Sequence, residues 1–202
     1  LYVQINRDEL VEEYQRLHDR LQGELRVFAT DAIHLYEGIK DGLEEKAQGE
    51  APYAQQIIQG VRDVVGRVFK LCRRWTEVEG EVGAIDADKL RGRIESMEEK
   101  IASTKDPLAH DQYTLARDSL QSQLRYLDEI DQGRERVQAR LHHQIAALER
   151  TRLALASFKS STAMEASNDL QPLLDNLSQL AMEADAVCEA VNEMMTMEKV
   201  EA

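Results

Sequence analysis

The 202-residue chain is long enough for one large domain or two small ones, and its 43% hydrophobic content is typical of folded rather than disordered proteins. Its 38 acidic and 25 basic residues give a formal net charge of −13. This balance argues against nucleic-acid binding, because phosphate backbones are bound through Lys and Arg. No apolar run approaches the roughly 18 residues that a membrane-spanning helix needs.

Residue usage favours helices along the whole chain. Only 10 Gly, 3 Pro and 3 Phe are present, whereas Ala, Leu, Glu, Gln and Arg, which favour helix formation, are abundant. We therefore predict an all-α fold: an elongated antiparallel helical bundle or coiled coil of four to five helices, forming a single domain over residues 1–202. The first residue is Leu rather than Met, which is compatible with a fragment of a longer chain.

The first predicted helix begins after Asn6, whose side chain can cap it, and ends near Leu43. Gly49 and Pro52 then mark its exit and the start of the next helix. The apolar residues are three or four positions apart, about 3.7 on average, which is close to the repeat of a straight helix. They are Leu10, Tyr14, Leu17, Leu21, Leu25, Phe28, Ala32, Leu35, Ile39 and Leu43.

The second predicted helix, over about residues 52–83, contains the unusual stretch GVRDVVGRVFKLCRRW at 60–75. Five basic residues and one acidic residue alternate here with valines, Phe69, Leu71 and Trp75. Such a basic amphipathic helix can lie on an anionic membrane, dock into an acidic partner or belong to a protein core. Its apolar face covers about half of the helix circumference. We favour the core, with Val68 and Trp75 inward, because the other helices would lack a core without it.

Two further helices follow in the middle of the chain. One is predicted from about Asp86 to Ser103, and the turn after it is set by Pro107, which disfavours a helical conformation in the preceding residue. The next is long, from about Pro107 to Phe158, with a candidate kink or break at Gly133.

A Ser-rich segment at about residues 159–168 is predicted to be a flexible loop. Asn168 or Ser167 then caps the last predicted helix. The mean spacing of its apolar residues, about 3.4, is close to a heptad repeat and suits a coiled-coil partner. These residues are Leu170, Leu173, Leu177, Leu180, Ala184, Val187, Val191 and Met194.

The negative charge is concentrated at the two ends of the chain. Residues 1–50 carry a net charge of −6 and residues 161–202 a net charge of −8, while the segments between them are nearly neutral. We expect the acidic first and last helices to flank the basic second helix. Arg73 and Arg74 are candidate partner-facing residues, whose acids lie either within the chain or on a partner.

A cluster of methionines near the end of the chain is a second candidate for partner binding. Met194, Met195 and Met197 lie beside an acidic face, and Met-rich surfaces can adapt to several partners.

The best metal-like spacing is Asp31, His34 and Glu37, which share roughly one face of a helix. Di-iron helical bundles need a carboxylate-x-x-His motif on two helices together with two further Glu. No other histidine has an acidic residue three positions before it, so we predict no metal and no other cofactor. GxSxG, P-loop, GxGxxG and HExxH motifs are also absent, and we predict that the protein is not an enzyme.

These observations predict a non-enzymatic structural or scaffolding protein that mediates protein–protein interaction or self-association, with a homo-oligomer as one form. The two cysteines, Cys72 and Cys188, match no disulfide framework and are typical of reduced thiols in a cytoplasmic protein. Two alternatives stay open. One is a peripheral membrane-binding or membrane-shaping protein that uses residues 60–75, and the other is a helical metalloprotein centred on His34.

Overall fold

The computed structural model describes residues 8–44, 52–83, 85–157 and 163–197, and these residues form helices and no strands. The predicted all-α helical bundle is confirmed. None of the described helices has the combination of length and apolar content that crossing a bilayer requires. They are α1 (Glu9–His18), α2 (Gly23–Glu44), α3 (Pro52–Val82), α4 (Ala87–Ser103), α5 (Pro107–Ser157) and α6 (Ala163–Met197).

The predicted first helix is wrong in one respect, because the structure divides it into α1 and α2. The α1 helix is capped by Asp8, whose carboxylate accepts a hydrogen bond from the Leu10 N–H at 3.2 Å, and it ends at His18. The predicted cap, Asn6, lies outside the described residues. Gly23 has a φ of +53°, which a right-handed helix cannot accommodate. The chain therefore reverses before α2.

The bounds of α3, α4 and α5 agree closely with the sequence patterns. The α3 helix begins at Pro52, and Asp86 caps α4 by accepting hydrogen bonds from the Asp88 and Lys89 N–H groups at 3.0 and 3.2 Å. The α5 helix continues through Gly133, so the candidate break there is wrong. A single glycine lowers helix stability by only about 1 kcal/mol, which neighbouring helix formers can offset.

The start of α6 differs from the prediction of a loop at about 159–168. Residues 163–168 belong to the helix, while residues 158–162 lie outside the described part of the chain. The segment Ala-Met-Glu-Ala at 163–166 has high helix propensity, which does not depend on an apolar stripe. Pro172 consequently lies inside α6, where it has no N–H to donate to the preceding turn.

The chain divides into two compact units. One contains the described residues up to 76 and from 137 onward, and the other contains the described residues between 77 and 136. The α3 and α5 helices contribute residues to both units. The expectation of a single domain over 1–202 stays a prediction.

In the first unit, side-chain contacts define the directions of the neighbouring helices. The α1 helix runs antiparallel to α2, since Tyr14 Oη lies 3.0 Å from Thr30 Oγ1 while Asp8 contacts Lys40. The α3 and α6 helices run parallel, since Gly60 lies against Leu177 and Arg67 pairs with Asp185 further along both helices. A Cβ on Gly60 would lie 3.3 Å from Leu177 Cδ1, so the glycine allows these two helices to approach closely.

The second unit has a smaller core. Leu90 and Ile94 of α4 pack with Leu120 and Leu127 of α5. The Lys100 ammonium lies 5.5 Å from the centre of the Tyr113 ring, a cation–π contact close to the turn between the two helices. The α4–α5 pair is therefore an antiparallel hairpin.

Candidate functional site

The apolar face of the basic stretch at 60–75 is used for packing within the chain. A membrane-surface helix needs this face to be available for lipid. In the described structure each of its apolar side chains is at most 2% exposed, which places this part of α3 in the core, as predicted. These side chains are Val61, Val64, Val65, Val68, Phe69, Leu71, Cys72 and Trp75.

The cations of the same stretch contact acids on the first and last helices. The Arg62 guanidinium lies 3.2 Å from the Glu9 carboxylate on α1, and the Arg67 guanidinium lies 2.9 Å from the Asp185 carboxylate on α6. The hydrogen bond from Arg67 lowers the pKa of Asp185, although partial burial opposes the shift. The charge separation seen in the sequence thus becomes ion pairing between helices.

The two arginines predicted to face a partner have different surroundings. Arg73 forms an ion pair with Glu13 of α1, so it has an acidic neighbour within the chain. Arg74 is half-buried. A partner contact by these residues stays a prediction.

Between α1, α3 and α6 lies a charged cleft of about 320 Å³. Four of its lining residues are acidic and three are basic, so the cleft does not concentrate charge of one sign. Arg62 and Arg67 already contact carboxylates. An anion such as a phosphate would compete with these carboxylates. The lining residues are Glu9, Leu10, Glu13, Arg62, Asp63, Gly66, Arg67, Lys70 and Asp185.

Asp8 is the centre of a polar cluster that joins α1, α2 and α3. Its carboxylate accepts hydrogen bonds from the Tyr36 hydroxyl at 2.6 Å and the Lys40 ammonium at 2.9 Å, and Arg62 lies 3.8 Å away. Burial alone would raise the pKa of Asp8, but the hydrogen bonds from Lys40, Tyr36 and the Leu10 N–H lower it overall. Burial and the neighbouring carboxylate raise the pKa of Tyr36. The cluster therefore holds an ionised carboxylate and a neutral phenol.

The metal candidates Asp31, His34 and Glu37 are exposed on α2. Over the described residues, no group of three or more His, Cys, Asp or Glu side chains is placed to hold a metal ion. The spacing that suggested a site is thus that of three side chains on the solvent face of one helix.

The methionine candidates fall within the last turns of α6, but the side chains of Met194, Met195 and Met197 lie outside the described residues. Several residues of the heptad stripe that lie earlier in α6 belong to the described part of the chain. Leu177, Leu180 and Val191 are buried there, so that part of the stripe packs within the chain.

Sequence reasoning did not single out Leu108 and Leu115, which are 70% and 63% exposed in the first turns of α5. The two leucines are seven residues apart and therefore lie on the same face of the helix, about two turns from each other. The sequence does indicate that they lie outside the predicted core stripe, because Leu115 is five residues before Leu120 rather than three or four. Among the large apolar side chains that are exposed in the described residues, they form the pair set one heptad apart on a single helix.

Comparison of the sequence with protein-family models and with curated proteins, and of the fold with solved structures, gives no match.

Proposed function

We propose that this protein is a non-enzymatic scaffold that self-associates through the face of α5 containing Leu108 and Leu115. The observation that supports the proposal is the high exposure of two leucines one heptad apart. Other amphipathic surfaces are less suitable, because the described apolar faces of α3 and α6 pack within the chain.

A second copy of the chain is the partner that fits this face. In a two-fold antiparallel pairing, Leu108 of one copy meets Leu115 of the other, and the reciprocal contact forms by symmetry. Each buried leucine contributes about 1.5–3 kcal/mol before the entropy loss of association is subtracted. The result is a weak, concentration-dependent dimer.

The distribution of charge favours association in this region of the chain. Residues 83–160 contain as many basic as acidic residues, whereas residues 1–50 and 161–202 carry net charges of −6 and −8. Contact through the first turns of α5 therefore brings together neutral segments of two acidic proteins, where electrostatic repulsion is weakest.

Sedimentation analysis over a range of concentrations tests this function. We expect the wild type to associate reversibly and the Leu108→Lys/Leu115→Lys variant to associate at least tenfold more weakly. The matched control is Leu153→Lys/Met182→Lys, which makes the same charge change at two other exposed apolar residues and should behave as wild type. A wild type that is a concentration-independent monomer contradicts the proposal.

A further inference from the structure

The reversal between α1 and α2 depends on a short connection and one glycine. Only residues 19–22 separate the helices, and Gly23 is the one described residue with a positive φ, +53°. The Arg20 and Leu21 N–H groups both donate to the Leu17 carbonyl, at 2.9 and 3.2 Å, and close the end of α1.

The sequence across this connection is also suited to a continuous helix. Leu17, Leu21 and Leu25 are spaced four residues apart, so the apolar stripe passes through the break without a change of period. All three side chains are buried. The segment Asp-Arg-Leu-Gln at 19–22 contains no residue that stops a helix.

Polar and aromatic contacts join α1 and its cap to both α2 and α3. Tyr14 contacts Thr30 of α2 and Phe69 of α3. Glu9 pairs with Arg62, and Glu13 pairs with Arg73, both on α3. Asp8, the cap of α1, binds Tyr36 and Lys40 of α2. Through these contacts α1, an acidic amphipathic helix, lies in an apolar groove that has basic residues along its edges. An identical α1 from a second copy can make the same contacts.

We propose that α1 is an exchangeable segment, and that two copies of the chain dimerise by swapping it. The hairpin opens into one helix over residues 9–44, and each α1 occupies the groove between α2 and α3 of the other copy. Because the groove contacts are the same in both forms, the equilibrium depends on residues 19–23 and on the entropy of association. This dimer uses a different surface from Leu108 and Leu115, and the two proposals are tested independently.

Gly23→Ala should shift the equilibrium strongly towards the dimer. No atom lies within 4 Å of an added Cβ, so the substitution acts only through the backbone. Alanine disfavours the left-handed conformation of the closed form and favours the helix of the open form. Because each dimer contains two hinges, we expect the association constant to rise by about a thousandfold or more. Gly42→Ala is the matched control, since its Cβ also has open space and its φ is not positive. It should leave association unchanged.

Gln22→Pro should have the opposite effect. The Gln22 N–H donates no backbone hydrogen bond among the described residues of the closed form. In a continuous helix, the proline would lose a hydrogen bond and clash with the preceding turn. We expect association through α1 to fall by at least about a hundredfold, while the monomer stays folded by circular dichroism.

Zero-length cross-linking identifies the exchange directly, because the Asp8 carboxylate and Lys40 ammonium are 2.9 Å apart. Unlabelled and ¹⁵N-labelled Gly23→Ala chains are refolded together in the Leu108→Lys/Leu115→Lys background, and the dimer is isolated and cross-linked with a carbodiimide. Mass spectrometry should find about half of the Asp8–Lys40 links between a light and a heavy chain. The swap would be overturned if no Asp8–Lys40 link joins a light chain to a heavy chain. It would also be overturned if the dimer fraction of Gly23→Ala is no greater than that of Gly42→Ala. Neither outcome affects the proposed function, whose test uses the wild-type hinge.

Discussion

Asp8 combines two structural roles in one carboxylate. One oxygen caps α1 by accepting the Leu10 N–H, and the other accepts hydrogen bonds from Tyr36 and Lys40 of α2. The Asp8 side chain is only 13% exposed, so these bonds are partly shielded from water. A capping residue that also binds the neighbouring helix fixes both the start of α1 and its position on the bundle.

We expect Asp8→Ala to lower the free energy of unfolding by about 2 kcal/mol, because it removes a cap and hydrogen bonds to a charged group. Urea unfolding at pH 7 measures the loss. Asp19→Ala is the control, since Asp19 is largely exposed and its closest ionic neighbour is His18. An Asp8→Ala variant as stable as this control would contradict the role of the cluster.

The same variant should show a distinct dependence on pH. The pKa of Asp8 is lowered in the folded protein, so its stabilising contribution is present above the pKa of the unfolded chain, about 3.9, and is lost as the pH falls through the folded value. The difference in unfolding free energy between wild type and Asp8→Ala should therefore shrink as the pH falls below about 5. A difference in unfolding free energy that grows as the pH falls would contradict this role of the Asp8 carboxylate.

Cys72 is a thiol that the fold protects. Burial raises its pKa to about 12, and its sulfur lies 3.7 Å from the Leu25 carbonyl oxygen. Since the thiolate is the reactive form, we expect a disulfide reagent at pH 8 to modify Cys72 at least about a hundredfold more slowly in the folded than in the urea-unfolded protein. The measurement uses the Cys188→Ala variant, in which Cys72 is the remaining thiol and its modification rate is measured alone. Rapid modification of the folded protein would place Cys72 at the surface.

At the scale of the helix, the close contact between α3 and α6 depends on Gly60. The larger side chain of Gly60→Val would overlap Leu177, and we expect a loss of about 1–3 kcal/mol in unfolding free energy. Gly80→Val is the control, because Gly80 lies in the same helix with open space at its Cβ. Thermal and urea unfolding of the two variants should separate them. Equal stability would indicate that α6 does not pack closely on α3.

Helices with both a regular apolar period and a terminal signal could be predicted from the sequence. Pro52 begins α3, and Asp86 caps α4, as their residue types indicate. The break before α2 was missed because the stripe from Leu17 to Leu25 keeps its period across it, and because glycine is tolerated inside helices. The left-handed conformation of Gly23 has no local signature, because glycines with ordinary helical neighbours, such as Gly42 and Gly133, lie inside α2 and α5 without a positive φ.

The candidate site was harder to predict than the helices. Periodicity identifies Leu120 as a core residue of α5, but it does not show which leucines outside the core stripe are left uncovered. Exposure of Leu108 and Leu115 depends on where α4 lies, and only the structure supplies that position. For Arg73, the charge pattern correctly indicated acidic helices beside α3, while the choice of Glu13 depends on how α1 packs against α3.

At the scale of the whole molecule, the two units differ in the amount of apolar side chain that they bury. The core of the unit at 77–136 is centred on four buried residues of α4 and α5. The other unit buries apolar residues from α1, α2, α3, α5 and α6. Because hydrophobic burial is the main favourable contribution to folding, the smaller unit should have the lower free energy of opening.

Native-state hydrogen exchange measures this difference along the chain. We expect amides of α4 to exchange at least about tenfold faster than those of residues 61–75, whose side chains include the most deeply buried part of α3. Amides at 120–130 should exchange with α4, because Leu120 and Leu127 share its core. Adding urea distinguishes local opening of the smaller unit from global unfolding of the chain, because exchange through global unfolding accelerates with denaturant equally in every segment. If α4 and residues 61–75 show equal protection at all urea concentrations, the chain unfolds as the single domain that its sequence predicts, and the smaller core is stabilised as strongly as the larger one.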